Sequence, residues 1–182
     1  MAENQRLWAP WRLSYVQSTD DPQPVAPEPL EFLPGADPEC FICQAVVAND
    51  DRHRLVIDRG EVSLTILNRY PYNNGHLLIA PKRHVGGLDQ ITPSEHLEIA
   101  QTITKLVEIL GEELRAEGFN VGLNLGRIAG AGLPGHLHWH IVPRWSGDTN
   151  FMPALAGVKV IPQSLDELWD VLSKRTGRSD SA

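Results

Sequence analysis

The chain has 182 residues, with 16 Lys and Arg against 23 Asp and Glu for a net charge of −7, and is 42% hydrophobic and 21% charged. That length supports one substantial domain with arms and needs no disulfide to fold, while the acidic balance excludes nonspecific nucleic-acid binding, which relies on a basic face. No apolar run approaches a membrane span, and an N-terminus carrying Glu3 has no signal-peptide h-region, so the expectation is a cytoplasmic protein without nucleic-acid or membrane partners.

Residues 1–39 read as an irregular arm, because Pro22, Pro24, Pro27 and Pro29 deny it regular structure. Trp8, Trp11 and Tyr15 are too apolar for a solvated tail and are expected to dock on the body or on a neighbouring subunit. From Leu55 the signals become regular. Val62–Leu67 alternates as a strand, Asn68–Gly75 is turn chemistry, and His76–Pro81 is a strand apolar on both faces, hence central. A helix is predicted over 93–117: Thr92 caps it, Pro93 suits its first position and Glu95 completes a capping box. Its apolar stripe reads Leu97, Ala100, Ile103, Val107, Leu110 and Leu114, and Gly118 ends it. Strands follow at Phe119–Leu125 and His136–Val142, and a short amphipathic helix at Leu165–Leu172. Strands on both sides of one long helix predict an α+β fold, with a mostly antiparallel sheet of about five strands packed on that helix.

The chemistry concentrates in His136-Leu-His138-Trp-His140. Alternation by two is the strand period, so all three imidazoles are expected on one face of one strand. Apolar residues would fill a core better than unpartnered rings, so the run reads as a site. Before it lies Gly130-Ala-Gly132-Leu133-Pro-Gly135, which formally matches G-x-G-x-x-G but leads into a strand and contains Pro134; this is not the dinucleotide fingerprint. Its glycines suit a backbone nest for phosphate, or a plain flexible loop. Three such histidines suit either a His₃ zinc hydrolase or a nucleophile attacking phosphorus, with neighbours fixing its tautomer. Cys40-Phe-Ile-Cys43 reads as metal or redox chemistry; no βαβ pattern surrounds it, which argues against a thioredoxin-type pair. His53, His76 and His96 take ordinary structural readings, although His76 opens the central strand near the proposed pocket.

The triad, Asn124-Leu-Gly126 ahead of it, and Asn68-Arg-Tyr-Pro71…Gly75-His76-Leu-Leu-Ile-Ala-Pro81 together resemble the histidine triad (HIT) superfamily of nucleotide hydrolases and transferases. Phe119–Gly126, Pro143-Arg-Trp145-x-Gly-Asp-x-Asn150-Phe151 and the arm Leu7-Trp-Ala-Pro-Trp-Arg12 are similar to its bacterial diadenosine tetraphosphate phosphorylase branch (ATP adenylyltransferase-like proteins). The resemblance implies a HIT domain over 40–163, between the arm at 1–39 and a C-terminal helix and tail at 164–182. It implies His138 as nucleophile and His140 as the residue that contacts the α-phosphate and assists the leaving group. It places Asn68 on the ribose hydroxyls, Asn124 on the α-phosphate, and Phe41, Ile42 and Ile66 around the base. At Gly132 and Leu133, where relatives often carry Gln or Ser, only backbone donors remain for phosphate. It also implies a structural zinc held by Cys40, Cys43, His84 and His136, and a homodimer or higher homo-oligomer.

The activity this resemblance implies is cleavage of a dinucleoside polyphosphate, diadenosine tetraphosphate plus phosphate giving ADP plus ATP, through a nucleotidyl-His138 intermediate. The rivals are a HIT hydrolase of nucleoside polyphosphates or phosphoramidates using water, the His₃ zinc hydrolase, and a noncatalytic nucleotide-binding module. Phosphate is expected to be gripped by the glycine loop, Arg144 and the loop Ser146–Asn150.

Overall fold

The computed structural model describes residues 30–149 and 160–177; the arm with Trp8, Trp11 and Tyr15 lies outside the described residues. Strands β1 (Val56–Arg59), β2 (Ser63–Leu67), β3 (Leu77–Pro81), β4 (Gly118–Leu123) and β5 (Trp139–Arg144) form one sheet in the order β1-β2-β3-β5-β4. Every neighbouring pair is antiparallel. The α+β expectation holds. Helices are α1 (Phe41–Val47), α2 (Asp51–Arg54), α3 (Pro93–Leu114) and α4 (Leu165–Arg175).

β2 and β3 are buried along their whole lengths; β3 accordingly runs apolar without alternation, while the alternating Ser63 and Thr65 of β2 are buried as well. β1 is the strand to which the sequence assigns no bounds. It has four residues, and its register against β2 slips between Val56 and Asp58, too short and irregular for a periodic signal. The last strand begins later than expected, at Trp139, so His136 and His138 lie in the approach to β5 and only His140 within it.

Helix α3 starts as read, with Thr92 and Glu95 forming the capping box, but ends at Leu114 with Arg115 in the left-handed region, and Gly118 opens β4 instead. Of the predicted stripe, Leu110 is fully buried and Ile103, Val107 and Leu114 pack on the core, but the stripe is shifted toward Ile99, Leu106 and Ile109, while Leu97 is 60% exposed and Ala100 is exposed. Both rows have helical spacing, so periodicity alone does not choose between them. Glu95 does. It lies on the inner row, 3% exposed, receiving Arg83 Nε at 2.8 Å and Nη2 at 2.6 Å. A charge buried this deeply must be paired, and the Arg83 guanidinium holds its carboxyl well below the usual range.

Gly75 turns the chain into β3 at φ +70°, where a Cβ would stand 2.5 Å from Leu114 Cδ1, so this close approach to α3 requires glycine. At the other edge, α4 is capped by Ser164 and Glu167 and buries Leu168 and Leu172. Trp169 Nε1–H donates to Val56 O at 2.9 Å, covering edge strand β1. The short helix α1 is held at its C-terminal end by Arg59, which donates to the carbonyls of Ala45, Val46 and Ala48 at 2.7–2.8 Å, satisfying groups a helix end leaves open. No helix among the described residues is long and apolar enough to cross a membrane.

Candidate active site and metal centre

Cross-strand pairing sets the site's floor. Ile66 pairs with Leu78, Leu78 with His140 and His140 with Gly122, and directly paired residues share a face. A cavity of about 370 Å³ opens on this row, lined by Ile66, Leu78, Phe41, Leu55, Asn68 and Tyr70 among others. Two of the three residues expected around a base, Phe41 and Ile66, therefore line it. Ile42 does not: it is fully buried in the main core, because consecutive residues of α1 point to different sides.

The three triad imidazoles do not act as one unit. His136 is 0% exposed and turns its Nδ1 to Cys40 Sγ at 3.3 Å and Cys43 Sγ at 3.5 Å. His138 and His140 have ring centroids 5.1 Å apart, edge to face. This corrects the single-face expectation and removes the basis for a His₃ zinc hydrolase. The only group among the described residues arranged to hold a metal is Cys40, Cys43, His84 and His136.

Hydrogen bonds fix the protons on the remaining pair. His138 Nδ1 lies 2.8 Å from the His136 carbonyl, which can only accept. Nδ1 therefore carries the proton, and the neutral ring presents a bare Nε2 lone pair. His140 is set by a longer chain. The Tyr72 N–H donates to His76 Nδ1 at 3.0 Å, so neutral His76 carries its proton on Nε2 and gives it to His140 Nδ1 at 2.9 Å. His140 then carries its own proton on Nε2, a buried atom with no hydrogen-bond partner among the described residues. Burial first, and the His138 ring second, depress His140 to about 4, so it stays neutral near pH 7. The pair presents a bare ring nitrogen beside a protonated one, both tautomers imposed by the fold.

His76 is the residue whose ordinary reading missed its link to the triad. It is 1% exposed, accepts also from Asn68 Nδ2 at 3.2 Å, and packs against Tyr72 at 4.8 Å between ring centroids. The available signal was its place at the head of the central strand, one strand from the triad. Asn68 lines the cavity while its amide holds His76 and takes the Tyr70 N–H at 3.0 Å.

Two amides of the glycine loop and the Arg144 guanidinium, all expected to grip phosphate, are engaged elsewhere. Gly130 N–H donates to Arg127 O at 3.0 Å and Ala131 N–H to Gly126 O at 3.2 Å, so these amides close the loop on itself. Gly130 sits at φ +90°, a geometry glycine adopts without strain. Asn124 follows the Leu123–Trp139 pair, which sets it beside the triad, and its Nδ2 donates to Gly130 O at 3.5 Å. Gly132 and Leu133 follow in the same loop, which leads directly to His136. Arg144 is engaged by Asp148 through Nε and Nη2, and reaches Asn120 Oδ1 at 2.7 Å through Nη1.

The metal-ligand candidates converge from three places: the N-terminus of α1, the loop after β3 and the approach to β5. Their donor atoms all lie within 4.8 Å of one another, with Cys43 Sγ 3.2 Å from His84 Nδ1. A tetrahedral zinc site with its usual bond lengths separates S and N ligands by roughly 3.6 Å, so the donor set fits. The outer contact is present too, with His136 Nε2–H donating to Pro81 O at 2.8 Å, an orientation typical of metal-bound histidine. Burial pulls His136 down to about 4, keeping the ring in the neutral form ligation needs. Cys40 does cap a helix, as a redox C-x-x-C would, but its sulfur faces His136, and no strand precedes it among the described residues.

The sheet order, the long helix and the histidine pair beside an apolar cavity define the class: a HIT-fold nucleotide-processing enzyme. The chain belongs to the histidine triad family, matching the HIT domain over residues 49–147, more than half its length. It is 40% identical to an AP-4-A phosphorylase of Mycobacterium tuberculosis over 174 residues, 96% of this chain and 85% of the relative. An uncharacterised HIT-like protein of Methanocaldococcus jannaschii is 34% identical over 60% of this chain and 81% of its own length. A zinc-bound histidine triad family protein of Mycobacterium smegmatis superposes with a TM-score of 0.56 at 28% identity, covering 67% of this chain and 83% of that one.

Proposed function

We propose that the protein phosphorolyses dinucleoside polyphosphates, converting diadenosine tetraphosphate and phosphate to ADP and ATP. The observation that carries this reading is the imposed tautomer pair, a bare His138 Nε2 beside a protonated His140 Nε2. In the first step His138 Nε2 bonds to the α-phosphorus and the bond to the bridging oxygen breaks. ATP leaves, with His140 Nε2–H donating to the departing oxygen. In the second step a phosphate oxygen attacks the same phosphorus, the P–N bond breaks, and ADP leaves with His138 restored. Phe41 and Ile66 flank the base, Asn68 the ribose, and Asn124 with the Gly132–Leu133 backbone the α-phosphate.

Phosphate is favoured over water for two reasons. The 40% identical relative is an AP-4-A phosphorylase. The hydrogen bonds of the His138 and His140 rings go to a carbonyl and to His76, not to a carboxylate that would activate water, and phosphate needs no such base near pH 7. The engagement of Arg144 leaves Asn124 and the loop before the triad as the acceptor's grip. Zinc at Cys40, Cys43, His84 and His136 would tie α1 to the sheet, and a cytoplasmic homodimer completes the reading. The test is product analysis with diadenosine tetraphosphate. ADP plus ATP at a rate that rises with phosphate and saturates supports it. AMP plus ATP at a phosphate-independent rate makes the enzyme a hydrolase.

A further inference from the structure

The metal-ligand cluster and the nucleotide site are joined by very short stretches of chain. Phe41, a wall of the cavity and 46% exposed, lies between the two ligand cysteines. Gln44, directly after Cys43, lines the same cavity, its Nε2 donating to Pro38 O at 2.7 Å and its Oε1 accepting from Arg54 Nη1 at 3.1 Å. On the other side, His136 supplies the carbonyl that fixes the His138 proton. Leu137 N–H donates to Val85 O at 2.7 Å, so the chains carrying His84 and His136 are clamped next to both ligands. The seven-residue α1 is too short to persist alone. Arg59 grips its C-terminal end; at its N-terminal end, where Phe41 sits, Ile42 is buried in the main core and the two cysteines turned toward the histidines are the anchors that flank Phe41.

We infer that the Cys40–Cys43–His84–His136 centre is a positioning element for nucleotide binding as well as a staple: a bound metal sets Phe41 and the His136 carbonyl together, so metal and nucleotide reinforce each other's affinity. This rests on the nucleotide-site reading above. Because coupling between two sites is reciprocal, it is measurable from the metal's side without turnover. The full-length zinc-loaded protein is titrated with a chromogenic chelator, with and without a saturating methylene-bridged, uncleavable diadenosine tetraphosphate analogue. The expected result is a zinc Kd about tenfold lower with the analogue, and an analogue Kd about tenfold lower with zinc.

Phe41→Ala keeps all four ligands, so its zinc Kd without nucleotide should match the wild type while most of the coupling disappears. In folded metal-free protein, ¹⁵N shifts of His138 should change from one tautomer toward a mixture. An unchanged zinc Kd despite calorimetric binding of the analogue overturns the inference and spares the nucleotide site. Circular dichroism showing that the sheet is lost with the metal also overturns it, since the centre then acts on folding alone. Failure of the analogue to bind the zinc-loaded protein removes both readings.

Discussion

Two clusters of histidines meet at the approach to β5 and are built on opposite plans. Around His136 every ring and sulfur turns inward: the donors face one another, and the outer nitrogen is taken by Pro81 O. Around His138 and His140 the partners occupy only the inner nitrogens, His136 O on one ring and His76 on the other. Among the described residues the other nitrogen of each ring has no protein partner assigned, and that of His140 is buried without one. On the reading proposed above, identical side chains two residues apart serve as ligand and reagent, according to which nitrogen the neighbourhood consumes.

The largest effect should come from the reagent side. His138→Ala should cut turnover at least about a thousandfold while nucleotide affinity stays within about tenfold, because the nucleophile acts mainly in the transition state. Single-turnover kinetics with calorimetry check this, and more than a few per cent residual activity would remove His138 from the role. His76→Phe keeps the packing but breaks the donor chain to His140, so kcat should fall about a hundredfold with KM little changed. An unchanged kcat would mean that His140 needs no imposed tautomer.

On the ligand side, Cys43→Ser should lose the metal and lower the thermal midpoint by about 10 °C, the shift expected for a loss near 3 kcal/mol in a domain of this size. Elemental analysis and calorimetry check it. The same protein prepared without chelators and carrying no metal would sink the zinc reading.

Acid should act on the triad next, with the metal held saturating because burial depresses His136 to about 4 as well. The fold depresses His140 from its ordinary 6.5 to about 4, so it favours the neutral ring. That contribution is fully present above about pH 6.5 and is lost as pH falls from there through about 4. The thermal midpoint of metal-saturated protein should therefore drop across this window, and His140→Gln should flatten part of the slope. Smallest of all, Arg144→Ala should leave kcat/KM within about threefold, because its guanidinium serves Asp148 and Asn120; a KM for phosphate raised about tenfold or more would return Arg144 to the phosphate grip.

The sequence by itself determined the class of fold and where its chemistry lies. Capping signals marked the start of α3, alternation marked β2, an uninterrupted apolar run marked β3, and the alternating histidines with C-x-x-C supplied residue types that packing alone does not call for. These are local properties, written in propensity and period. Only the tertiary structure decided what each group does. Periodicity offered two apolar rows on α3, and the buried Glu95–Arg83 pair chose the inner one. Within the glycine loop the Gly130 and Ala131 amides turn back onto Arg127 and Gly126, leaving Gly132 and Leu133 for the proposed phosphate contact, and Arg144 read as a phosphate grip until Asp148 met it. His76, unremarkable along the chain, became part of the site because the β3–β5 pairing sets it against His140. A side chain's chemistry is set by which of its atoms remain unpartnered, and partners distant in sequence are fixed only when the sheet closes.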